Sequence, residues 1–211
     1  MATPEWTPAV LWVYTLYGYS LRGLWGGLTF PVSPPHRPLK LYPYKVYTHN
    51  TAGAHSGVAI LIRPEIKHFK INEDFYGDTL AIQVETFLGP IVLACNYTPP
   101  SRLHLPLGDL IWMERLFRPV YCIADLNAHH TSYDRSTNDY GRILYNRFLS
   151  IGSLQRVGPD IGTFISPGGL RSKPDIVLIN GQCNHHHFVT TLDKNISDHA
   201  PIQVLINLIL Y

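Results

Sequence analysis

The chain has 211 residues, of which 45% are hydrophobic and 15% are charged, and its formal net charge is +2. The length suits one domain with a sizeable apolar core, and the composition excludes an intrinsically disordered chain, which is charged and poor in apolar residues. The nearly balanced charge also excludes a broad, strongly basic surface that binds nucleic acid without a defined site. Any nucleic-acid partner therefore has to be argued from a local site.

The cysteines and the apolar N-terminal stretch bear on the compartment and on membranes. Cys95, Cys122 and Cys183 are the three cysteines, and no Cys-x-x-Cys pair occurs, which indicates a reduced, intracellular compartment. Residues 9–30 form the most apolar stretch, but Arg22 and four glycines interrupt it and no basic segment precedes it. We therefore predict no membrane partner, and we expect a buried strand or a poorly specified tail in this stretch.

The predicted elements after this stretch alternate between short apolar runs and helical spacing. Prolines crowd residues 31–43 and predict a loop. Apolar runs predict strands, the first three of them antiparallel neighbours, at residues 57–63, 79–85, 90–97, 120–124, 175–179 and 201–208. Apolar residues at helical spacing predict helices at residues 105–117 and 138–151. Two helices among strands indicate layered α/β packing within one domain.

Three polar islands follow or precede the predicted strands, where loops usually carry function. Asp125 and Asn127 are two residues apart at the end of a strand, so an extended chain points both side chains to one face, where they can hold and deprotonate a water molecule. Residues 197–199, Ser-Asp-His, offer a carboxylate and an imidazole for a hard cation and a phosphate oxygen. Residues 173–175, Lys-Pro-Asp, place a carboxylate that could orient a histidine.

Each island also has a purely structural interpretation. The first could begin a turn after a strand, the second could be a loop capped by its own side chains, and the third could be a surface turn. Taken singly, the structural interpretations are favoured. Taken together, in this order and beside these strands, the islands favour a functional site.

The islands resemble the motifs of the endonuclease/exonuclease/phosphatase superfamily, which includes deoxyribonuclease I and the apurinic/apyrimidinic endonucleases. Residues 124–130, ADLNAHH, are similar to its G-D-F-N-x-x-H motif, with Ala124 in place of Gly and Leu126 in place of Phe. Residues 197–202, SDHAPI, are similar to its C-terminal S-D-H motif. Residues 96–100, NYTPP, are similar to its motif of a tyrosine at a strand end.

The order of further motifs narrows the resemblance to the endonuclease domain of non-LTR retrotransposons. That order is GVAILIR, NYTPP, HHTSYDRSTNDYGRIL, GTF and KPDIVLIN, and Tyr133 stands where this branch usually has Trp. The resemblance covers residues 42–208. It implies two packed, mixed and mostly antiparallel β-sheets flanked by helices, as in deoxyribonuclease I, and a metal-dependent phosphodiesterase that nicks DNA.

The resemblance also implies a role for each matched residue. Asp125 would activate the attacking water, Asn127 would hold it, and Tyr97 would touch the phosphate or the leaving oxygen. His199 would contact the scissile phosphate, with Asp175 orienting it.

The implied cofactor is Mg²⁺, with Mn²⁺ as an alternative, and the implied metal ligands are Asp198 and Asp125. The implied partners are DNA and, in the parent element, a reverse transcriptase. The expected place of action on DNA is the nucleus.

The N-terminal segment departs from the family pattern. The family has an Asn at the end of its first strand and then a metal-ligating Glu, yet Glu5 is the only acid before Glu65 and no Asn precedes Asn50. We therefore divide the chain into an atypical segment, residues 1–30, with an aberrant first-strand region, and a family-like domain, residues 31–211. Losing such groups costs orders of magnitude in rate, which predicts a weakly active or inactive enzyme.

Three alternatives remain from the sequence. The first is a catalytically inactive retroelement remnant that at most binds DNA or a protein partner. The second is a phosphatase acting on a small or lipid phosphate, against which the retrotransposon-like motif order argues. The third is a zinc site at the adjacent histidines of residues 185–187, which is disfavoured because neighbours in a strand point to opposite faces.

Overall fold

A computed structural model describes residues 9–11, 13–16, 43–50, 57–192 and 199–207 of the chain. Asp198, one of the predicted metal ligands, lies outside these residues, as does most of the atypical N-terminal segment. The strands are β1 (Ala9–Leu11), β2 (Val13–Leu16), β3 (Lys45–Asn50), β4 (Gly57–Ile62), β5 (His68–Lys70), β6 (Asp78–Val84), β7 (Ile91–Tyr97), β8 (Val120–Asp125), β9 (Leu154–Arg156), β10 (Phe164–Ile165), β11 (Arg171–Ser172), β12 (Asp175–Asn180), β13 (His187–Thr191) and β14 (Ile202–Ile206). The helices are α1 (Leu107–Arg115) and α2 (Asp139–Leu144), and a π-helical segment (Tyr145–Leu149) continues α2.

The central element is a six-stranded sheet in the order β5-β6-β7-β8-β12-β9. Its pairs are antiparallel except β7 and β8, which run parallel because α1 crosses between them. Two three-stranded sheets, β2-β4-β3 and β1-β14-β13, form the opposite layer, and β10 pairs with β11 as a small hairpin. The structure thus has the predicted α/β sandwich of mixed, mostly antiparallel sheets.

Two apolar cores lie on the two faces of the six-stranded sheet. On one face, side chains such as Leu80, Cys95 and Ile123 pack against residues of β4 and β14 from the opposite layer. On the other face, Cys122 and Ile176 belong to a cluster with residues of α1, α2 and the π-helical segment. Because β6, β7, β8 and β12 are buried on both faces, they read as continuous apolar runs in the sequence.

The structure alters several element predictions. β6 and β7 are antiparallel neighbours as predicted, but β4 pairs with β2 and β3 in the opposite layer and not with β6. The helix predicted for residues 105–117 spans only Leu107–Arg115, since Pro106 has a non-helical ψ of 70° and disfavours the helical conformation in the residue before it, and Leu116 is extended. The helix predicted for residues 138–151 divides into α2 and the π-helical segment.

Parts of the N-terminal segment enter both small sheets. β1 pairs with β14 and β2 pairs with β4, each in antiparallel register. The division into residues 1–30 and 31–211 stays a prediction. Within the described residues, no helix is long and apolar enough to cross a membrane.

Candidate active site

Strand register places four polar side chains in one row across the end of the six-stranded sheet. Asp78 at the start of β6 pairs with Tyr97 at the end of β7, Tyr97 pairs with Asp125 at the end of β8, and Asp125 pairs with Asp175 at the start of β12. Directly paired residues project from the same face of a sheet. We call these four residues the polar row.

The polar row caps the apolar core between the two layers. Leu80, Cys95, Ile123 and Val177, each two residues into the strand from its member of the row, belong to that core. The carboxyl side chains of the row are enclosed, because Asp78, Asp125 and Asp175 are 4%, 2% and 4% exposed. Buried carboxylates are costly unless donors or cations compensate their charge.

His199 from the opposite layer completes one end of the row. Its Nδ1 lies 2.7 Å from Oδ2 of Asp175, which is hydrogen-bond distance. A backbone bridge between His199 and Phe164, together with a ring contact at 5.1 Å, ties this histidine to the β10–β11 hairpin. The structure thus joins Asp175 of one sequence island to His199 of another.

Asp125, Asp175 and His199 form the one group of three metal-ligand side chains found in the described residues, with ligand atoms all within 4.8 Å of one another. Two carboxylates suit a hard divalent cation, which prefers oxygen. The imidazole suits such an ion less well, and its Nδ1 is already at hydrogen-bond distance from Asp175. The donor set therefore fits a metal held through Asp125, with His199 directed to a different task.

The loop after β8 folds back on its own strand end. The backbone N–H of Asn127 donates to Oδ1 of Asp125 at 3.0 Å, and Nδ2 of Asn127 donates to the carbonyl oxygen of Thr98 at 2.9 Å. Asn127 has a φ of +46°, a left-handed conformation that Asn tolerates better than most residues. The sequence predicted that the alternation of an extended strand places the two side chains. Instead, a turn with a left-handed residue at Asn127 places them.

Helix α2 fixes this loop from behind. Oδ1 of Asn138 accepts from the N–H of Gly141 and from the N–H of His129, and Nδ2 of Asn138 donates to the carbonyl oxygen of Asn127. Gly141 leaves room for the loop, since a Cβ there would lie 1.7 Å from the carbonyl oxygen of His129. The helix cap and the loop are thus one hydrogen-bonded unit.

A second His–Asp contact links two of the sequence islands. Nδ1 of His129 lies 2.6 Å from Oδ2 of Asp134, which also accepts from the backbone N–H of Lys173. Burial alone would raise the pKa of Asp134, but the hydrogen bonds from His129, Lys173 and Arg135 outweigh it and hold that pKa below its ordinary value. The loop of residues 129–134 is therefore anchored beside Asp175.

Tyr97 lies between two carboxylates of the row. Burial, followed by the negative charges of Asp125 and Asp78, raises the pKa of its phenol above the ordinary value of 10.0. The phenol therefore stays protonated at neutral pH, with an O–H that can donate.

Sequence reasoning missed the other end of the row. Asp78 stands alone before a predicted strand, and Oδ1 of Asp78 lies 3.7 Å from Nε2 of His49 in β3. The only signal was an acid immediately before an apolar run. Neither residue belongs to a motif, so only the register of β6 and the packing of the two layers bring them to the site.

A buried polar chain supports the row from α1. Asp109 accepts from the hydroxyl of Thr79 and from the backbone N–H groups of Tyr76 and Gly77. Thr79 in turn accepts from Nδ2 of Asn96, whose Oδ1 accepts from the hydroxyl of Thr98. Buried hydrogen bonds therefore hold the ends of β6 and β7 beside Tyr97.

The adjacent histidines lie away from the row. His187 begins β13 and its ring contacts Tyr121, near the start of β8 and so at the opposite end from Asp125. Nδ1 of His187 lies 3.1 Å from the backbone carbonyl oxygen of His185. Among the described residues, no group of three possible metal ligands (His, Cys, Asp or Glu) lies at these histidines.

No family model matches the chain. In sequence it is 28% identical over 183 residues to a probable RNA-directed DNA polymerase from transposon X-element of Drosophila melanogaster, which covers 80% of this chain and 19% of that protein. It is 25% identical over 171 residues to the RNA-directed DNA polymerase from mobile element jockey of Drosophila funebris, which covers 75% of this chain and 18% of that protein. The chain therefore spans less than a fifth of either transposon protein.

In structure the chain is similar to the endonuclease domain of TRAS1, a telomere-specific non-LTR retrotransposon. The TM-score is 0.60 at 18% identity, and the match covers 78% of this chain and 80% of that one. The resemblance predicted from the motifs is confirmed: the chain is similar in sequence to transposon-encoded RNA-directed DNA polymerases and has the fold of a non-LTR retrotransposon endonuclease domain.

Proposed function

We propose that the chain is a nuclease domain that nicks DNA by divalent-metal-dependent hydrolysis of a phosphodiester. The observation that carries the proposal is the convergence of Asp125, Asp175 and His199, whose ligand atoms lie within 4.8 Å at one end of the sandwich. The fold shared with a retrotransposon endonuclease domain also supports a nuclease function.

Asp125 and Asn127 prepare the attacking water in this proposal. Asp125 accepts the proton of the water, and the side-chain amide of Asn127 holds the water in line with the phosphorus atom. The hydrogen bond from the Asn127 N–H to Oδ1 of Asp125 fixes the two groups relative to each other. An oriented water is required because a phosphodiester is anionic and repels nucleophiles.

His199 and Tyr97 act on the phosphate. Oδ2 of Asp175 accepts a hydrogen bond from Nδ1 of His199 and so orients the ring, and the opposite ring nitrogen, when it carries a proton, donates to a non-bridging phosphate oxygen. Tyr97, protonated at neutral pH, donates to the phosphate or to the leaving oxygen. These donors stabilise charge that develops in the transition state.

Asp125 and Asp198 would hold the metal, Mg²⁺ or Mn²⁺. When bound, such an ion polarises the phosphate and offsets its negative charge. The oxygen-rich donor set around Asp125 supports this assignment, whereas the assignment of Asp198 comes from the S-D-H motif alone.

The proposed activity is weak, because the N-terminal segment, residues 1–30, offers no counterpart of two family residues. Between Glu5 and Glu65 there is no acid, and before Asn50 there is no Asn. The same observation favours the second candidate, an inactive retroelement remnant that at most binds DNA. In the parent element we propose a reverse transcriptase as the associated enzyme and the nucleus as the place of action.

Relaxation of supercoiled plasmid separates these candidates. We expect slow nicking by the wild type in Mg²⁺, no nicking in EDTA, and loss of nicking in Asp125→Asn. Glu65→Gln is the matched control, since it removes one negative charge from an exposed residue just beyond β4, at the opposite end of the sandwich.

Each possible result of these assays bears on one part of the proposal. Nicking as fast as that of an intact retrotransposon endonuclease domain assayed beside it would overturn the proposed impairment. DNA binding without nicking above the EDTA background would establish the remnant. Equal loss in Asp125→Asn and Glu65→Gln would contradict the assignment of Asp125.

A further inference from the structure

The polar row is bracketed by two histidines from the opposite layer. His199 meets Asp175 at the β12 end, and His49 in β3 meets Asp78 at the β6 end. The first pair has a role in the proposed function, whereas the second has none. Yet the register that places Asp175 beside Asp125 also places Asp78 beside Tyr97.

Asp78 is a buried carboxylate that lacks full compensation. It is 4% exposed, and in the described part of the chain its Oδ2 has no hydrogen-bond partner. Its Oδ1 lies 3.7 Å from Nε2 of His49, so this imidazole is the polar partner of the carboxylate in the described part of the chain. A carboxylate enclosed in this way is retained at a cost, which points to a role beyond packing.

His49 is accessible where Asp78 is not. The imidazole side chain is 43% exposed, so its face and its remaining ring nitrogen can reach a ligand outside the row. The carboxylate behind the ring orients one of its nitrogens inward, which leaves the exposed edge of the imidazole toward a ligand such as a phosphate.

The ends of the row are too far apart to serve a single phosphate. From β6 to β12 there are three strand spacings, which amount to about 14 Å. A nucleic-acid strand passing along the row would therefore place one phosphate at His199 and another at His49. The three carboxylates of the row repel such a strand, so hydrogen-bond donors at both ends are needed to hold its phosphates.

We propose that His49, positioned by Asp78, forms a second phosphate-binding subsite of this site and contacts a phosphate that flanks the scissile one. This inference rests on the proposed function in taking DNA as the ligand. It makes His49 a binding residue and Asp78 a positioning residue, and it assigns neither to the chemical step.

Binding to duplex DNA in EDTA tests the subsite without cleavage. A set of otherwise identical duplexes carries one uncharged methylphosphonate each, moved stepwise along one strand, and fluorescence anisotropy gives Kd for each. For the wild type we expect one position, removed from the scissile phosphate, where the substitution weakens binding about 3–10-fold. In His49→Gln that position should lose its effect, and binding to the unmodified duplex should weaken by the same factor.

Asp78→Asn and His186→Gln complete the set of variants. Asp78→Asn should abolish the effect at the same methylphosphonate position and add nothing to His49→Gln, because the two act as a pair. His186 is an exposed histidine just before β13, at the end of the sandwich away from the row, and His186→Gln should keep the wild-type profile.

The results distinguish this inference from the function on which it rests. Wild-type binding with a methylphosphonate profile unchanged in His49→Gln would overturn the subsite and leave the nuclease proposal standing. An equal change in His186→Gln would overturn it as well, by showing a general charge effect. No binding of DNA by the wild type would contradict the proposed function itself.

Discussion

Tyr97 is the phenol of the polar row and lies between two of its carboxylates. It pairs with Asp78 on one side and with Asp125 on the other, and both charges together with burial raise the pKa of its phenol. A raised pKa means that the protonated form persists above the pH at which an exposed phenol ionises. The residue is therefore suited to donate a hydrogen bond and unsuited to act as a phenolate base.

Tyr97→Phe should reduce the single-turnover nicking rate about 100-fold, since it removes one donor aimed at developing charge while keeping the ring. The affinity for DNA in EDTA should change less than the rate. The measurement is plasmid nicking at saturating protein, beside an anisotropy titration.

Tyr44→Phe serves as the control, because Tyr44 precedes Lys45 at the end of β3 that is far from His49. Loss of rate in both variants, or no loss in Tyr97→Phe, would contradict the role given to the phenol.

Among the secondary-structure elements, α2 holds the loop after β8 in place through the hydrogen bonds of its cap residue. Asn138 caps the helix and contacts both His129 and Asn127, so one side chain serves the helix and the loop. Gly141 permits the close approach of the two. The position of Asn127 therefore follows from a helix that contributes no residue to the row.

Asn138→Ala should lower the free energy of unfolding by about 2 kcal/mol, because it removes a helix cap and two further hydrogen bonds. It should also slow nicking, since Asn127 loses its support. Urea denaturation measures the first effect and the plasmid assay the second.

Asn146→Ala is a suitable comparison, because Asn146 is exposed in the π-helical segment. A stability change in Asn138→Ala no larger than that in Asn146→Ala would count against the cap.

The strands differ in how readily the sequence predicts them. The strands buried on both faces, such as β7 and β12, are apolar throughout, so composition alone reveals them. β3 and β13 both carry Thr and His and lie at the edges of the small sheets, where half-exposed strands lose that signal. Motifs identified Asp125, Asp175 and His199, but only register and layer packing reveal Asp78 and His49.

At the scale of the whole molecule, the sandwich encloses ionisable groups whose protonation depends on folding. Burial raises the pKa of the Cys95 thiol well above its ordinary range, and burial followed by the charge of Asp109 raises that of Cys122 to about 12. In the unfolded chain both thiols ionise near pH 8.5. Above that pH the unfolded state binds fewer protons than the native state, so alkali favours unfolding.

The free energy of unfolding should therefore fall as pH rises from about 8.5 to 10, by up to about 1.4 kcal/mol per pH unit for each thiol. Urea denaturation at three pH values in this window measures the slope. The double variant Cys95→Ala and Cys122→Ala should show a shallower slope, whatever its absolute stability. An unchanged slope in the double variant would exclude the thiols as its source.

In the proposed function, Asp125 and His199, which the fold brings together from separate parts of the chain, act as one unit on a DNA phosphate. The direct measurement is a double-mutant cycle on the single-turnover nicking rate in Mg²⁺, with Asp125→Asn, His199→Gln and the two combined. If the two residues act as a unit, each single substitution should lower the nicking rate about 100-fold or more. The double variant should then be no slower than the slower of the two single variants. Losses that multiply, or a wild-type rate that neither substitution changes, would contradict the account.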